Sequence, residues 1–392
     1  MNKQTLLVGI DGGATKVSAW EIIYNEAQNT FSLGKANATK SYREIDGFIA
    51  DFKPVDLNTQ LQERDVEIKL QTDEVQQAGV YVEACALAVA ELAKKAGCKD
   101  ILVGIGMPGL KTADRRGIAV VANGPRMVNY ANQLEKRVKE LGINMLAPIK
   151  HLGSDADYCG VGENFSEEGL FRGGSNAYYL GGGTGVADAM KLDGELVTFD
   201  QAKAWMAKTW EMKSPAGISL EKITSVSGIQ NTYAGIAGKS VELLNDAGIF
   251  PLQISHLAKN GEKEAVRTFE VVVENLSLLL YERILTLYAG WKSLFEFVNP
   301  NRQNLESTHS HLGKVFEAII IGQRLGDLFE DEAGKEIVKK PVFLALDALI
   351  QKSEFLPEDV KEHYKNLNSI ILSSRLREAP ALGAGIDAFL SK

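Results

Sequence analysis

The sequence predicts an α/β protein of two domains, each a mixed sheet flanked by helices. Three observations carry this reading. The chain has 392 residues, more than one hydrophobic core usually serves. Strand-like and helix-like segments alternate along it, the pattern of a parallel or mixed sheet covered by helices. Each half also holds a hairpin signal associated with a glycine-rich turn, Asp11-Gly12-Gly13 in the first and Gly181-Gly182-Gly183-Thr184-Gly185 in the second.

In chain order, 6–10 is a short apolar run and 17–23 alternates around Trp20, so the two form a hairpin across the first turn. A third strand is expected at 30–33. Residues 35–77 are polar, with little periodicity, and are read as an insertion with some local structure. Residues 80–95 have apolar positions at helical spacing and end at Gly97, a suitable cap. Residues 100–106 (DILVGIG) form a buried strand, and 131–141 a helix. In the second half, strands are expected at 177–180, 187–192 and 195–197, with Asp193-Gly194 as a hairpin turn between the last two. Val266, Phe269, Val273, Leu276, Leu280, Ile284 and Leu287 mark one face of the longest helix. Residues 318–322 (AIIIG) are a buried strand, and a helix rich in small residues starts near Pro380.

The bulk numbers narrow the function. Apolar residues make up 45% and charged residues 24%, ordinary for a globular enzyme. A net charge of −8 without a basic run argues against nucleic acid or an anionic membrane as partner. The segment 1–13 (MNKQTLLVGIDGG) is too short in apolar residues for a signal peptide, and 265–298 is too often interrupted by charge for a membrane span. Cys85, Cys98 and Cys159 form no CxxC pair. These features predict a cytoplasmic protein.

Backbone N–H groups in glycine-rich turns can cradle phosphate oxygens, because no side chain blocks the approach. For either turn alone, a tight hairpin that needs positive φ is the competing explanation. The first turn also carries a carboxylate, a hydroxyl and an ammonium within six residues, at Asp11, Thr15 and Lys16. Asp11 could hold Mg²⁺ through water, while Thr15 and Lys16 could donate to a β- or γ-phosphate. Neither a GxxxxGK[ST] loop nor a GxGxxG dinucleotide fingerprint fits the chain.

Six segments in order resemble the ROK sugar kinases of the actin, Hsp70 and hexokinase superfamily. They are GIDGGATK at 9–16, GIGMPG at 104–109, SDADYCGVGE at 154–163, LGGGTGVADAM at 180–190, SLEKITSVSG at 219–228 and AIIIGQRLG at 318–326. The resemblance implies a two-lobed actin-like ATPase (ribonuclease H-like) fold with a central cleft. One lobe is expected over 1–153, with the helix at 380–392 packing back on it, and the other over 154–379. It implies ATP and Mg²⁺ as cofactors, and phosphorylation of a hexose or hexosamine at its 6-hydroxyl. Asp155 falls on the family's catalytic aspartate, the general base. Gly12, Gly13, Gly182, Gly183 and Thr184 fall on the phosphate loops, and Gly322 on the adenosine side. Ser154, Asp155, Glu221 and, by its position near a missing GExGH motif, Glu211 fall on sugar contacts.

There are departures from the family's pattern. Ser154 stands for an asparagine, Gln323 for the second glycine of the nucleotide-side pair, and the cysteine-rich zinc loop is absent, so no zinc site is expected. Three alternatives stand beside the kinase. One is an acetylglucosamine kinase or BadF-type ATPase, whose GWGxxxGDEGS signature the chain lacks. The others are a ROK transcriptional regulator and a sugar-binding protein without catalysis. The segment 35–77 is open to two uses, covering the cleft or building a homodimer contact. His309-Ser310-His311 reads as an exposed pair, and Trp205 and Trp210 suit either sugar stacking or packing.

Overall fold

The apolar runs near residues 6 and 100 become neighbouring parallel strands at the centre of a mixed sheet. In the computed structural model, β1 (Leu6–Gly12) pairs antiparallel with β2 (Lys16–Asn25) on one side and parallel with β4 (Asp100–Gly106) on the other. The structure describes residues 5–64 and 66–392. Residues 1–4 of the N-terminal stretch and Asp65 of the segment 35–77 lie outside them. The chain divides into two units, Met1–Glu167 with Glu378–Lys392, and Glu168–Arg377.

In the first unit, β3 (Thr30–Ser41) pairs with β2 at the sheet edge, and the two-residue strands Asn144–Met145 and Leu152–Gly153 add to β4. The third strand therefore runs eight residues beyond the predicted end. Residues 35–41, assigned to an insertion, belong to it. The helix predicted over 80–95 begins instead at Thr72 and ends at Ala96, with Gly97 left-handed at its cap. Its first turns carry polar residues on the buried side. Glu74 takes the Arg126 guanidinium at 2.8 and 2.6 Å, and Gln77 accepts the Ile49 N–H at 2.9 Å. The remaining segment is tied down by the helix Leu57–Arg64. From it, Gln60 exchanges hydrogen bonds with Val121, donating at 3.0 Å and accepting at 2.8 Å.

The C-terminal helix Ala379–Leu390 lies directly on β1 and β4. A Cβ at Gly9 would fall 1.9 Å from the Ala381 carbonyl oxygen, and one at Gly104 would fall 1.8 Å from that of Ala384. These two glycines, which begin the GIDGG and GIGMPG segments, serve helix-on-sheet contact. The helix Asp155–Phe165 packs on the same C-terminal helix, where a Cβ at Gly383 would fall 2.0 Å from the Tyr158 carbonyl oxygen. Hence Asp155 belongs to the first unit, and the boundary lies at 167/168 rather than 153/154.

The second unit repeats the plan. The strand Ala177–Gly182 pairs antiparallel with Val186–Leu192, which pairs with Glu195–Val197, and on its other side it runs parallel to Ala318–Gly322 and then Ile371–Ser373. Asp193 and Gly194 both take positive φ, 55° and 84°, as a type I′ hairpin turn requires. The longest helix, Lys263–Ala289, buries Ala265, Phe269, Val272, Leu276, Leu280 and Ile284 but leaves Val266 exposed. Its buried face is thus rotated slightly from the predicted one. Among the described residues, no helix is long and apolar enough to cross a membrane.

Candidate active site

In the first unit the strand order sets the site. β1 leaves the sheet centre through a hairpin toward β2, while the chain after β4 departs to the other side. This is the kind of switch point at which α/β sheets bind ligands, beyond the carboxyl ends of their strands. Asp11, at the end of β1, pairs with Gly106 at the end of β4. Asp155 follows the strand Leu152–Gly153 and opens its helix, and a Cβ on Gly106 would lie 3.6 Å from the Asp155 Cα. Ser154 caps this helix, its Oγ accepting the Asp157 N–H at 3.3 Å. The hydroxyl can still donate its own proton.

Asp11 reports the local field. Burial pushes its carboxyl from 3.8 up to about 7, the charges of Asp155 and Glu378 push in the same direction, and Lys16 opposes them. Glu378, which stands just before the first turn of the C-terminal helix without a side-chain hydrogen bond to it, has no motif to mark it in the sequence.

The turn after Asp11 is oriented by two tyrosines that the sequence reading passed over. Tyr42 and Tyr81 stack with ring centroids 3.7 Å apart. Tyr42 Oη donates to the Gly13 carbonyl at 3.1 Å, Tyr81 Oη to that of Ala14 at 3.0 Å, and the Tyr42 N–H to that of Thr15 at 3.1 Å. In a trans peptide the next N–H points opposite to its carbonyl. Three consecutive carbonyls held on one side therefore turn the N–H groups of Ala14, Thr15 and Lys16 to the other, where Thr15 and Lys16 are exposed.

The second unit holds the other turn. The Gly183 N–H donates to the Gly185 carbonyl at 2.9 Å, the Gly183 carbonyl accepts the Ser227 N–H at 3.2 Å, and Thr184 is exposed at the tip. Glu221 Oε2 accepts the Val186 N–H at 3.0 Å, and it would lie 2.7 Å from a Cβ on Gly185. None of Gly12, Gly13, Gly182, Gly183 or Gly185 takes positive φ. The hairpin explanation from backbone freedom therefore fails for both turns. Their glycines provide close approach instead, as at Gly182, whose Cβ would meet that of Leu325 at 2.7 Å. Gly322 is likewise filled against the Tyr179 ring, 2.2 Å from its Oη.

Glu211 is engaged elsewhere. Arg302 grips its carboxylate with two nitrogens at 2.9 and 3.2 Å, and the Lys208 N–H donates to it at 2.7 Å. The stretch from 212 to 220 is a short closed turn, with the Ser214 N–H on the Ile218 carbonyl at 2.8 Å and the Leu220 N–H on that of Met212 at 2.9 Å. The histidine pair is ordered rather than merely exposed. His309 stacks on buried Trp205 at 4.0 Å and bonds the Thr286 carbonyl at 2.9 Å, and His311 bonds Asp193 at 2.8 Å. Trp205 is thus a packing residue, while Trp210 is 48% exposed.

No family profile matches the sequence, and no curated protein matches it. Solved structures do match, along almost the whole chain. A ROK family glucokinase from Streptomyces griseus, solved with glucose and AMPPNP, aligns over 98% of this chain and 99% of its own, with TM-score 0.58 and 17% identity. A ROK hexokinase from Thermus thermophilus aligns over 98% of both, with TM-score 0.55 and 15% identity. The chain has the ROK fold. That fold also occurs in a ROK transcriptional regulator, a homologue of the E. coli MLC protein, which matches 99% of this chain over 81% of its own at TM-score 0.52 and 13% identity. The ROK fold alone therefore does not decide between catalysis and sensing, and the side chains must.

Proposed function

We propose that this chain transfers the γ-phosphoryl group of ATP to the 6-hydroxyl of a hexose or hexosamine, with Asp155 as general base. The observation that carries the reading is the setting of Asp155. It opens a helix at the carboxyl edge of the sheet, close enough to Asp11 to raise the pKa of that carboxyl, in the unit whose first glycine turn directs its N–H groups outward. A helix N-terminus favours negative charge at that position.

In the reaction, a carboxylate oxygen of Asp155 accepts the hydroxyl proton as the sugar oxygen bonds to the γ-phosphorus. The bond from that phosphorus to the β,γ-bridging oxygen breaks, and ADP leaves. Such a base is worth roughly 10²–10⁴-fold, and most of the remaining acceleration comes from positioning and charge stabilisation. The N–H groups of the first turn, the Thr15 hydroxyl and the Lys16 ammonium suit the β- and γ-phosphate oxygens, and the turn at Gly182, Gly183 and Thr184 offers a second set. The surplus negative charge around Asp11 fits a magnesium ion held there through water. That ion would neutralise phosphate charge. Ser154 and Glu221 are the proposed hydroxyl contacts, whereas the bidentate pair with Arg302 favours a positioning role for Glu211.

The test is ADP release from ATP and Mg²⁺ with a panel of hexoses and N-acetylated hexosamines. A strong preference for one sugar is expected. If no sugar raises ADP release above the sugar-free rate, the kinase reading fails.

A further inference from the structure

Gln323 stands where the ROK pattern carries a glycine, and it keeps a glycine-like backbone. Its φ is +56°, in the left-handed region that glutamine occupies only under strain. Of the four other non-glycine residues with positive φ among the described residues, Asn29 and Asp193 are types that tolerate it, in hairpin turns, and Arg115 and Ser293 lie in irregular loops. Gln323 has no such excuse. It lies between the strand Ala318–Gly322 and the helix that begins with it, Gln323–Glu330. Strain held at such a junction is characteristic of functional positions.

The neighbours say where it goes. The strands Ala177–Gly182 and Ala318–Gly322 are parallel and adjacent. The first leaves toward Val186–Leu192 and the second toward Ile371–Ser373, so their carboxyl ends form this unit's own switch point. There the Gln323 carboxamide lies on the second glycine turn. Its Cδ would be 3.1 Å from a Cβ on Gly181, and its Oε1 3.2 Å from one on Gly183. A carboxamide offers two N–H donors, which suit phosphate oxygens. We infer that Gln323 is a phosphate-binding residue, donating to a phosphate oxygen of the phosphoryl donor held on the Gly181–Gly185 turn. This rests on the kinase reading and adds to it a residue that the family pattern does not supply.

The test measures binding of ATP with Mg²⁺, ADP, tripolyphosphate and adenosine by calorimetry, together with melting temperature, for wild type, Gln323→Gly and Gln323→Met. Glycine relieves the strained φ, so Gln323→Gly should melt no lower than wild type and roughly 1–3 °C higher. It should nonetheless bind ATP, ADP and tripolyphosphate about tenfold more weakly, the scale of one lost hydrogen bond to a charged group. Adenosine binding should not change. Gln323→Met keeps the length and the strain but not the amide, so it should lose the same affinity at wild-type stability. Unchanged or tighter phosphate binding in both variants would overturn the inference and leave the kinase reading intact. An equal loss for adenosine would overturn it by assigning the contact to the nucleoside. Failure of wild type to bind ATP at all would remove both.

Discussion

Replacing Asp11 by asparagine should stabilise the protein at pH 8, and the gain should shrink as the pH falls. The native carboxyl titrates at about 7 against an ordinary value of 3.8. Between those values the folded state holds a proton that the unfolded chain has released, so folding stability falls as pH rises from about 4 to about 7 and levels off above. The full gap corresponds to about 4 kcal/mol at 1.36 kcal/mol per pH unit, and partial exposure of the carboxyl trims it to about 2–3 kcal/mol. Asparagine has the same shape and no proton to lose. Urea unfolding of both proteins from pH 5 to pH 8, without nucleotide or metal, reads the difference. The advantage of Asp11→Asn should grow by about 1–1.5 kcal/mol across that range, because part of the total has already been lost below pH 5. Asp155→Asn should move the native titration of Asp11 below 7, because Asp155 is the largest charge contribution after burial. A stability difference that is flat with pH, or an Asp11→Asn protein less stable at pH 8, would refute the description of the carboxyl cluster.

Two further outcomes follow from the turns. Tyr42→Phe and Tyr81→Phe each remove one hydrogen bond to a first-turn carbonyl, so each should lower kcat/KM for ATP about five- to tenfold, about 1 kcal/mol, with sugar KM unchanged in steady-state kinetics. Glu221→Gln keeps an acceptor for the Val186 N–H but loses the charge, so sugar KM should rise about tenfold while ATP KM stays within about twofold. A larger shift in ATP KM than in sugar KM would make Glu221 a support of the second turn only.

What was legible in the sequence was whatever a hydrophobic pattern or a glycine cluster announces. The strands at 6–12, 100–106, 177–182 and 318–322 are buried on both faces and read as apolar runs. β3 was cut short because it is an edge strand whose second half, GKANATKS, has few apolar residues. The helix start at Thr72 was missed because its buried positions include Glu74 and Gln77, satisfied by Arg126 and Ile49 rather than by apolar neighbours. The unit boundary was misplaced for a related reason. The helix of Asp155 is held to the C-terminal helix by glycine and alanine contacts, which carry no periodic signal. Both glycine turns and Asp155 were visible as motifs, whereas Tyr42 and Tyr81 lie 27 and 66 residues beyond Thr15, and only the fold brings them to the turn.

The most direct test of the central claim is single-turnover phosphoryl transfer by Asp155→Asn with the preferred sugar. Asparagine preserves the size of the side chain and its place at the helix start but cannot take the hydroxyl proton. The transfer rate should fall about 10³-fold, while the affinities for ATP and sugar, measured by equilibrium binding, change less than about threefold. A variant that transfers phosphate at near the wild-type rate would contradict the assignment of Asp155 as the base.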